Sequence, residues 1–106
     1  MKIGVIGLGR MGEYMSRRLR NNNHEVWGYR RNLEAAHQLC EDGAINGYSN
    51  DISSLVQEVH GNESERGIFL MVIPAASVDD TLSELLLHTR PGDIIIDHGN
   101  SNFKDS

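Results

Sequence analysis

The chain has 106 residues, 39% of them hydrophobic and 24% charged, which suffices for one domain around one core and no more. A net charge of −5 and a pI near 5.4 exclude a general nucleic-acid binder. They leave room for a local basic pocket, since a few arginines act over a screening length of about 8 Å.

Residues 2–6, Lys-Ile-Gly-Val-Ile, read as a short apolar strand. The strand pattern begins at the N-terminus with no apolar h-region or cleavage site, and no stretch approaches the ~20 apolar residues of a membrane span. With the single cysteine, Cys40, unable to form an internal disulfide, a cytoplasmic protein without a membrane partner is expected. Gly7 to Gly12 form a turn. Met11, Met15 and Leu19 then recur every four residues, as on one face of a helix, with the small Gly12 and Ser16 on a neighbouring face that can approach a sheet. Asn21-Asn22-Asn23 ends this helix, because asparagine tolerates the left-handed conformation.

Glu25 to Tyr29 make a second strand, and Asn32 caps a helix running to Asp42 with Gly43 as its stop. A short edge strand is expected over 44–48. Ile52, Leu55, Val56 and Val59 fall at i, i+3, i+4 and i+7, a third helix. A polar loop follows. The unbroken apolar run from Gly67 to Ile73 suits a strand covered on both faces. Ser77 and Asp80 form a capping-box-like pair at the start of a fourth helix striped by Val78, Leu82, Leu85 and Leu86. Pro91-Gly92 turns the chain into a buried strand, Ile94 to Ile96, with Asp97 expected to follow it and bond the turn backbone. His24, His37, His60 and His88 lack metal-ligand spacing and read as surface or structural residues. Strands alternate with helices throughout, which predicts a single-domain α/β fold of the Rossmann type: a doubly wound, mainly parallel sheet.

The turn Gly7-Leu8-Gly9-Arg10-Met11-Gly12 has the form G-x-G-x-x-G, follows a strand and opens a helix, the context that a dinucleotide-binding turn requires. Gly7 permits the tight turn, Gly9 lets a pyrophosphate approach the backbone, and Gly12 lets helix and strand pack closely. The free N–H groups of the helix end then face the phosphates. About twenty residues on, such domains usually carry an acid that binds the ribose hydroxyls of NAD. Here no Asp or Glu occurs between Glu25 and Glu34, and Arg30 and Arg31 stand in that place, with Asn32 adding a polar donor. A guanidinium fork suits a phosphate, so the pair reads as a clamp for the 2′-phosphate of NADP, with NAD as the alternative cofactor.

The segment Pro91-Gly92-Asp93-Ile94-Ile95-Ile96-Asp97-His98-Gly99-Asn100-Ser101 resembles the "GDIIIDGGNS" segment of 6-phosphogluconate dehydrogenases. The "GLGRMG" turn, the strand end Val72-Ile73-Pro74-Ala75, the later "VDD" and Asn102-Phe103-Lys104-Asp105 are similar to the same family, above all to its short bacterial branch. The resemblance covers the whole chain. It implies oxidation of 6-phosphogluconate with NAD(P) and decarboxylation to ribulose 5-phosphate, in a cytoplasmic homo-oligomer. It implies cofactor contacts at Gly7 to Gly12, Arg30 to Asn32, Val72, Ile73, Pro74 and Asn100, with Asn100 also near the substrate. Two departures stand out. The branch often carries Asp where this chain has Arg30, and His98 replaces the first glycine of the family's pair, a place where a positive φ would strain histidine. The family's catalytic lysine and glutamate have no match in this chain. It is therefore expected to be the cofactor domain of a longer enzyme, inactive alone and with no metal site. The alternatives are a cofactor domain of the β-hydroxyacid dehydrogenases, such as the 3-hydroxyisobutyrate type, and a non-catalytic nucleotide-binding module.

Overall fold

The computed structural model describes residues 2–7, 9–61 and 67–98, leaving aside the side chains of Ala75 and His98. Strands β1 (Lys2–Ile6), β2 (Glu25–Tyr29), β3 (Gly47–Tyr48), β4 (Ile68–Val72) and β5 (Ile94–His98) alternate with helices α1 (Arg10–Asn21), α2 (Leu33–Glu41), α3 (Ile52–His60) and α4 (Ala75–His88). All the pairings are parallel and the strand order is β3-β2-β1-β4-β5. The chain builds outward from β1 to β3 and then returns to the other side of β1, so the order reverses between β1 and β4. In doubly wound sheets that reversal opens a crevice at the carboxyl ends of the strands.

Side chains alternate across the sheet with the period of two that a strand imposes. Val5, Val26 and Leu70 point to one face and pack with Ala36 and Leu39 of α2, with Met15 and Leu19 of α1 against them. Ile6, Phe69 and Met71 point to the other face and pack with Ile52, Leu55, Val56 and Val59 of α3 and Leu85 of α4. Burial of all four α3 residues bears out the i, i+3, i+4, i+7 pattern. The helix ends follow their residues as well. Asn23 takes a φ of 68° after α1, the Asn32 side chain accepts from the Ala35 N–H at 3.1 Å, and Gly43 takes a φ of 84° after α2.

Several details differ from the sequence reading. The 44–48 strand shortens to Gly47–Tyr48, because the Asn46 side chain, rather than a backbone carbonyl, accepts the Val26 N–H at 2.8 Å and replaces a ladder bond. Helix α4 begins at Ala75 with Pro74 as its N-cap, so Ser77 lies inside the first turns and makes no cap hydrogen bond. Leu86 is 57% exposed and does not join the apolar stripe. Ile96 is 45% exposed, since β5 is the edge of the sheet among the described residues. Met11 is exposed, and Gly12 and Ser16 are the residues that α1 buries against the sheet. Asp97 and His98 lie within β5, in register with Met71 and Val72. Any residue adopts the extended backbone of a strand, so the replacement of a glycine by His98 costs no strain there.

The end of the sheet away from the crevice is held by Asp93. Its Oδ1 accepts from the Gly67 N–H at 2.7 Å, and its Oδ2 accepts from the Arg90 N–H at 2.8 Å. The ring Nε2 of His60 also meets Oδ2 at 2.9 Å, and the Asp93 side chain is 2% exposed. Burial pushes this carboxyl up, but the hydrogen bonds from Arg90, Gly67 and His60, with the His60 charge, outweigh burial and hold it below the ordinary carboxylate value. The clasp ties together α3, the start of β4 and the turn before β5. Asp93→Ala strands these donors and is expected to lower unfolding stability by about 3 kcal/mol at neutral pH. Because the folded carboxyl titrates below the unfolded one, its contribution is present above about pH 4 and is lost as pH falls through the folded value. Urea unfolding at pH 7 and pH 3 should therefore show a wide gap between parent and variant that narrows in acid. An equal gap at both pH values would assign the loss to packing.

Candidate dinucleotide-binding site

The carboxyl ends of β1, β2 and β4 lie side by side, with Ile6 in register with both Tyr29 and Met71. Gly7 leaves β1 with a φ of 93°, its N–H donating to the Tyr29 carbonyl at 2.9 Å. A Cβ on Gly7 would lie 2.3 Å from the Val72 carbonyl oxygen and 2.5 Å from Cγ2 of Ile73. Only glycine satisfies both the backbone angle and the contact.

Gly9 is the N-cap of α1, and no side chain caps that helix end. The first N–H groups of a helix have no partner within it, so the α1 terminus presents free donors and its positive dipole end. A Cβ on Gly9 would meet nothing within 4 Å. The space above Gly9 is open because the fold leaves it so, and it lies where the free donors point. Arg10 and Met11, both exposed, form the first turn beside it, and Gly12 is buried beneath.

A cleft of about 400 Å³ extends from this turn. Gly7 and Gly9 form one side, Val72, Ile73 and Pro74 another, and Arg30, Arg31 and Asn32 the mouth at the end of β2. A smaller recess of about 260 Å³ continues between Gly9, Arg10, Met11, Gly12 and the Val72–Pro74 segment. Gly9, Val72, Ile73 and Pro74 line both, so the two spaces flank the α1 terminus. The described lining of the larger cleft carries no carboxylate. Arg30 also lines a groove between α1 and α2 together with Arg10, which puts these two cations on a common side of the turn. The Oδ1 of Asn32 is engaged by its cap on Ala35, which leaves the amide NH₂ for the cleft.

The structure thus brings together Gly7, Gly9, Arg10, Met11, Gly12, Arg30, Arg31, Asn32, Val72, Ile73 and Pro74. Leu8 and Asn100 lie outside the described residues. Sequence reasoning missed Ile6, Tyr29, Ser77 and Thr81, which complete the lining. The signal for the last two was present: polar residues one helical turn apart beside the apolar stripe of α4. The Ser77–Asp80 pair instead carries the pattern of a cap. Among the described residues no group of three or more His, Cys, Asp or Glu could hold a metal ion, and no helix is long and apolar enough to cross a membrane.

Residues 2–106 match the family model for the NAD binding domain of 6-phosphogluconate dehydrogenase. The chain belongs to this family. It is 35% identical over 106 residues to the NAD(+)-dependent, decarboxylating 6-phosphogluconate dehydrogenase of Haloferax volcanii, covering 100% of this chain and 34% of that protein. It is 38% identical to the decarboxylating 6-phosphogluconate dehydrogenase of Aggregatibacter actinomycetemcomitans, covering 98% of this chain and 22% of that protein. Among solved structures, Plasmodium falciparum 6-phosphogluconate dehydrogenase superposes with a TM-score of 0.78 at 25% identity, over 95% of this chain and 22% of that one. The chain therefore spans about a third or less of the length of these relatives and corresponds to the NAD-binding domain of dehydrogenases.

The contrast between two glycines checks the geometry of the turn. Gly9→Val should leave the circular dichroism spectrum and melting temperature near those of the parent, since its side chain enters open space, while dinucleotide binding falls below detection. Gly7→Ala should instead destabilise the fold by more than about 2 kcal/mol, through the positive φ and the Val72 carbonyl. A Gly9→Val protein that binds dinucleotide like the parent would make the turn merely structural.

Proposed function

We propose that this chain is the cofactor-binding domain of a 6-phosphogluconate dehydrogenase that prefers NADP(H), with Gly7 to Gly12 on the pyrophosphate and Arg30 to Asn32 on the 2′-phosphate. The observation that carries the preference is the cleft mouth, where Arg30 and Arg31 stand and the described lining offers no carboxylate. An acid there would accept from ribose hydroxyls and repel a phosphate, whereas a guanidinium attracts it. At about 4 Å two unit charges interact by about 4 kcal/mol at the effective dielectric of a protein surface, enough to set the order of affinities. The names of the relatives point both ways. The Haloferax volcanii protein is NAD(+)-dependent, and the Plasmodium falciparum enzyme was solved with NADP+. The arginine pair supports the phosphorylated cofactor.

In the whole protein the domain serves oxidation of 6-phosphogluconate at C3 and loss of CO₂ to give ribulose 5-phosphate. Asn100, just past β5, orients nicotinamide and substrate, and the protein works as a cytoplasmic homo-oligomer. The described lining of the cleft has no lysine, histidine or carboxylate to take the C3 proton or to protonate the enol. Proton transfers of that kind typically contribute 10²–10⁴-fold each.

Calorimetry tests the cofactor reading. NADP(H) should bind the 106-residue chain more tightly than NAD(H). Arg31→Ala should weaken NADP(H) by about 1.5–3 kcal/mol, the worth of a charge-assisted hydrogen bond, while NAD(H) affinity stays nearly constant. Equal affinity for the two cofactors would refute the clamp. A second assay tests the division of labour. The chain mixed with 6-phosphogluconate and NADP should give no absorbance increase at 340 nm above background. Turnover that copurifies with the chain and vanishes in Asn100→Ala would show that it carries its own catalytic groups.

A further inference from the structure

Helices α1 and α4 each show solvent a stripe in which large apolar residues sit among charges of one sign. On α1, Met11 and Tyr14 are exposed, Tyr14 at 53%, beside the exposed Arg17 and Arg18. This face points away from Gly12 and Ser16, which the sheet buries. On α4, Leu86 and Leu87 are exposed, Leu87 at 79%, beside the exposed Asp79, Asp80 and Glu84. This face points away from Leu85, which is fully buried. The α1 stripe is internally ordered: the Arg18 guanidinium donates to the Tyr14 hydroxyl at 3.1 Å and lies 5.8 Å from the ring centroid. Among the described residues no ion pair engages Asp79, Asp80 or Glu84. Tyrosine, arginine and methionine in one desolvatable patch are the composition of an interface centre.

The two stripes match in spacing as well as in charge. Met11 and Arg18 are seven residues apart, about two turns along one helix face, and so are Asp80 and Leu87. With the helices antiparallel, Met11 meets Leu87 while Arg18 meets Asp80. Tyr14 then faces Glu84, each three residues in from its apolar end, and Arg17 falls beside Asp79. Helix α1 packs on the sheet face of Val5 and Leu70, and α4 on the opposite face with Phe69 and Met71. One chain therefore cannot join its own two stripes. We propose that the outer face of α1 docks on the outer face of α4 of a second copy of this chain. The contact is heterologous, so each added copy leaves one stripe open at either end and assembly continues head to tail. Helices of 12 and 14 residues offer faces about 18 and 21 Å long, a small contact that associates weakly.

Sedimentation velocity of the 106-residue chain over a concentration series tests the contact. The parent should self-associate with a Kd of about 0.1 mM at low salt, in the range of small, transient contacts. Raising salt from about 0.05 to 0.5 M should weaken this roughly 10-fold by screening the facing charges. Tyr14→Glu and Leu87→Lys, both at exposed sites, should each leave the chain monomeric. An equimolar mixture of these two variants should recover one contact, since the first keeps its α4 stripe and the second its α1 stripe, and should stop at a 1:1 dimer. Arg18→Glu and Asp80→Arg should each weaken association, and the two combined in one chain should restore it. A parent that stays monomeric at about 1 mM, ten times the expected Kd, would overturn the proposal. So would single variants that assemble like the parent, or a mixture that stays monomeric, because the two stripes would then not be partners.

Discussion

The close approach of Gly7 to the end of β4 is the contact on which the rest of the cleft depends. A Cβ there would press to 2.3 Å against the Val72 carbonyl, and the φ of 93° excludes most other residues. Because the chain turns so tightly, α1 starts almost at once and its uncapped terminus opens beside β4. The same approach sets the spacing between the glycine turn and Val72–Pro74, so both the cleft and its recess owe their walls to it. Gly12 and Ser16, the buried residues of α1, then hold the helix close to the sheet and keep its axis aimed into the crevice.

Much of this was legible in the sequence because each element carries a local reason. The alternation of apolar strands with helices separated by Asn32, Gly43 and Pro91-Gly92 fixes the parallel topology, and the G-x-G-x-x-G turn fixes where the crevice falls. What escaped was set by tertiary partners. Asn46 substitutes its side chain for a ladder carbonyl, which no propensity signals, and so β3 is shorter than its pattern. Ile94 to Ile96 read as a buried run, but burial depends on a neighbour that an edge strand lacks. Ser77 and Thr81 line the cleft because α4 begins at Ala75, two residues before the apparent cap. His60 and Asp93, 33 residues apart, form a clasp that spacing alone does not show.

Charge is distributed in keeping with the proposed division of tasks. The chain is acidic overall, with a net charge of −5, yet Arg10, Arg30 and Arg31 gather around the α1 terminus, which has no side-chain cap. A cation at a helix N-terminus is unfavourable in itself, because it faces the positive end of the dipole. Arg10 opposes that rule and heads α1. An anion bound between the arginine and the helix end relieves the conflict, which makes the local rule-breaking a mark of the site.

The central claim is that a dinucleotide lies across the turn with its phosphorylated ribose at the end of β2. Backbone amide shifts followed during titration of the labelled chain test it most directly. NADP+ should move the amides of Gly9, Arg10, Arg31 and Ile73 together, and NAD+ should move the Gly9 and Arg10 amides while leaving Arg31 nearly still. Identical shift patterns for the two cofactors, or shifts centred away from the turn on the α2–β3 side of the sheet, would contradict the account.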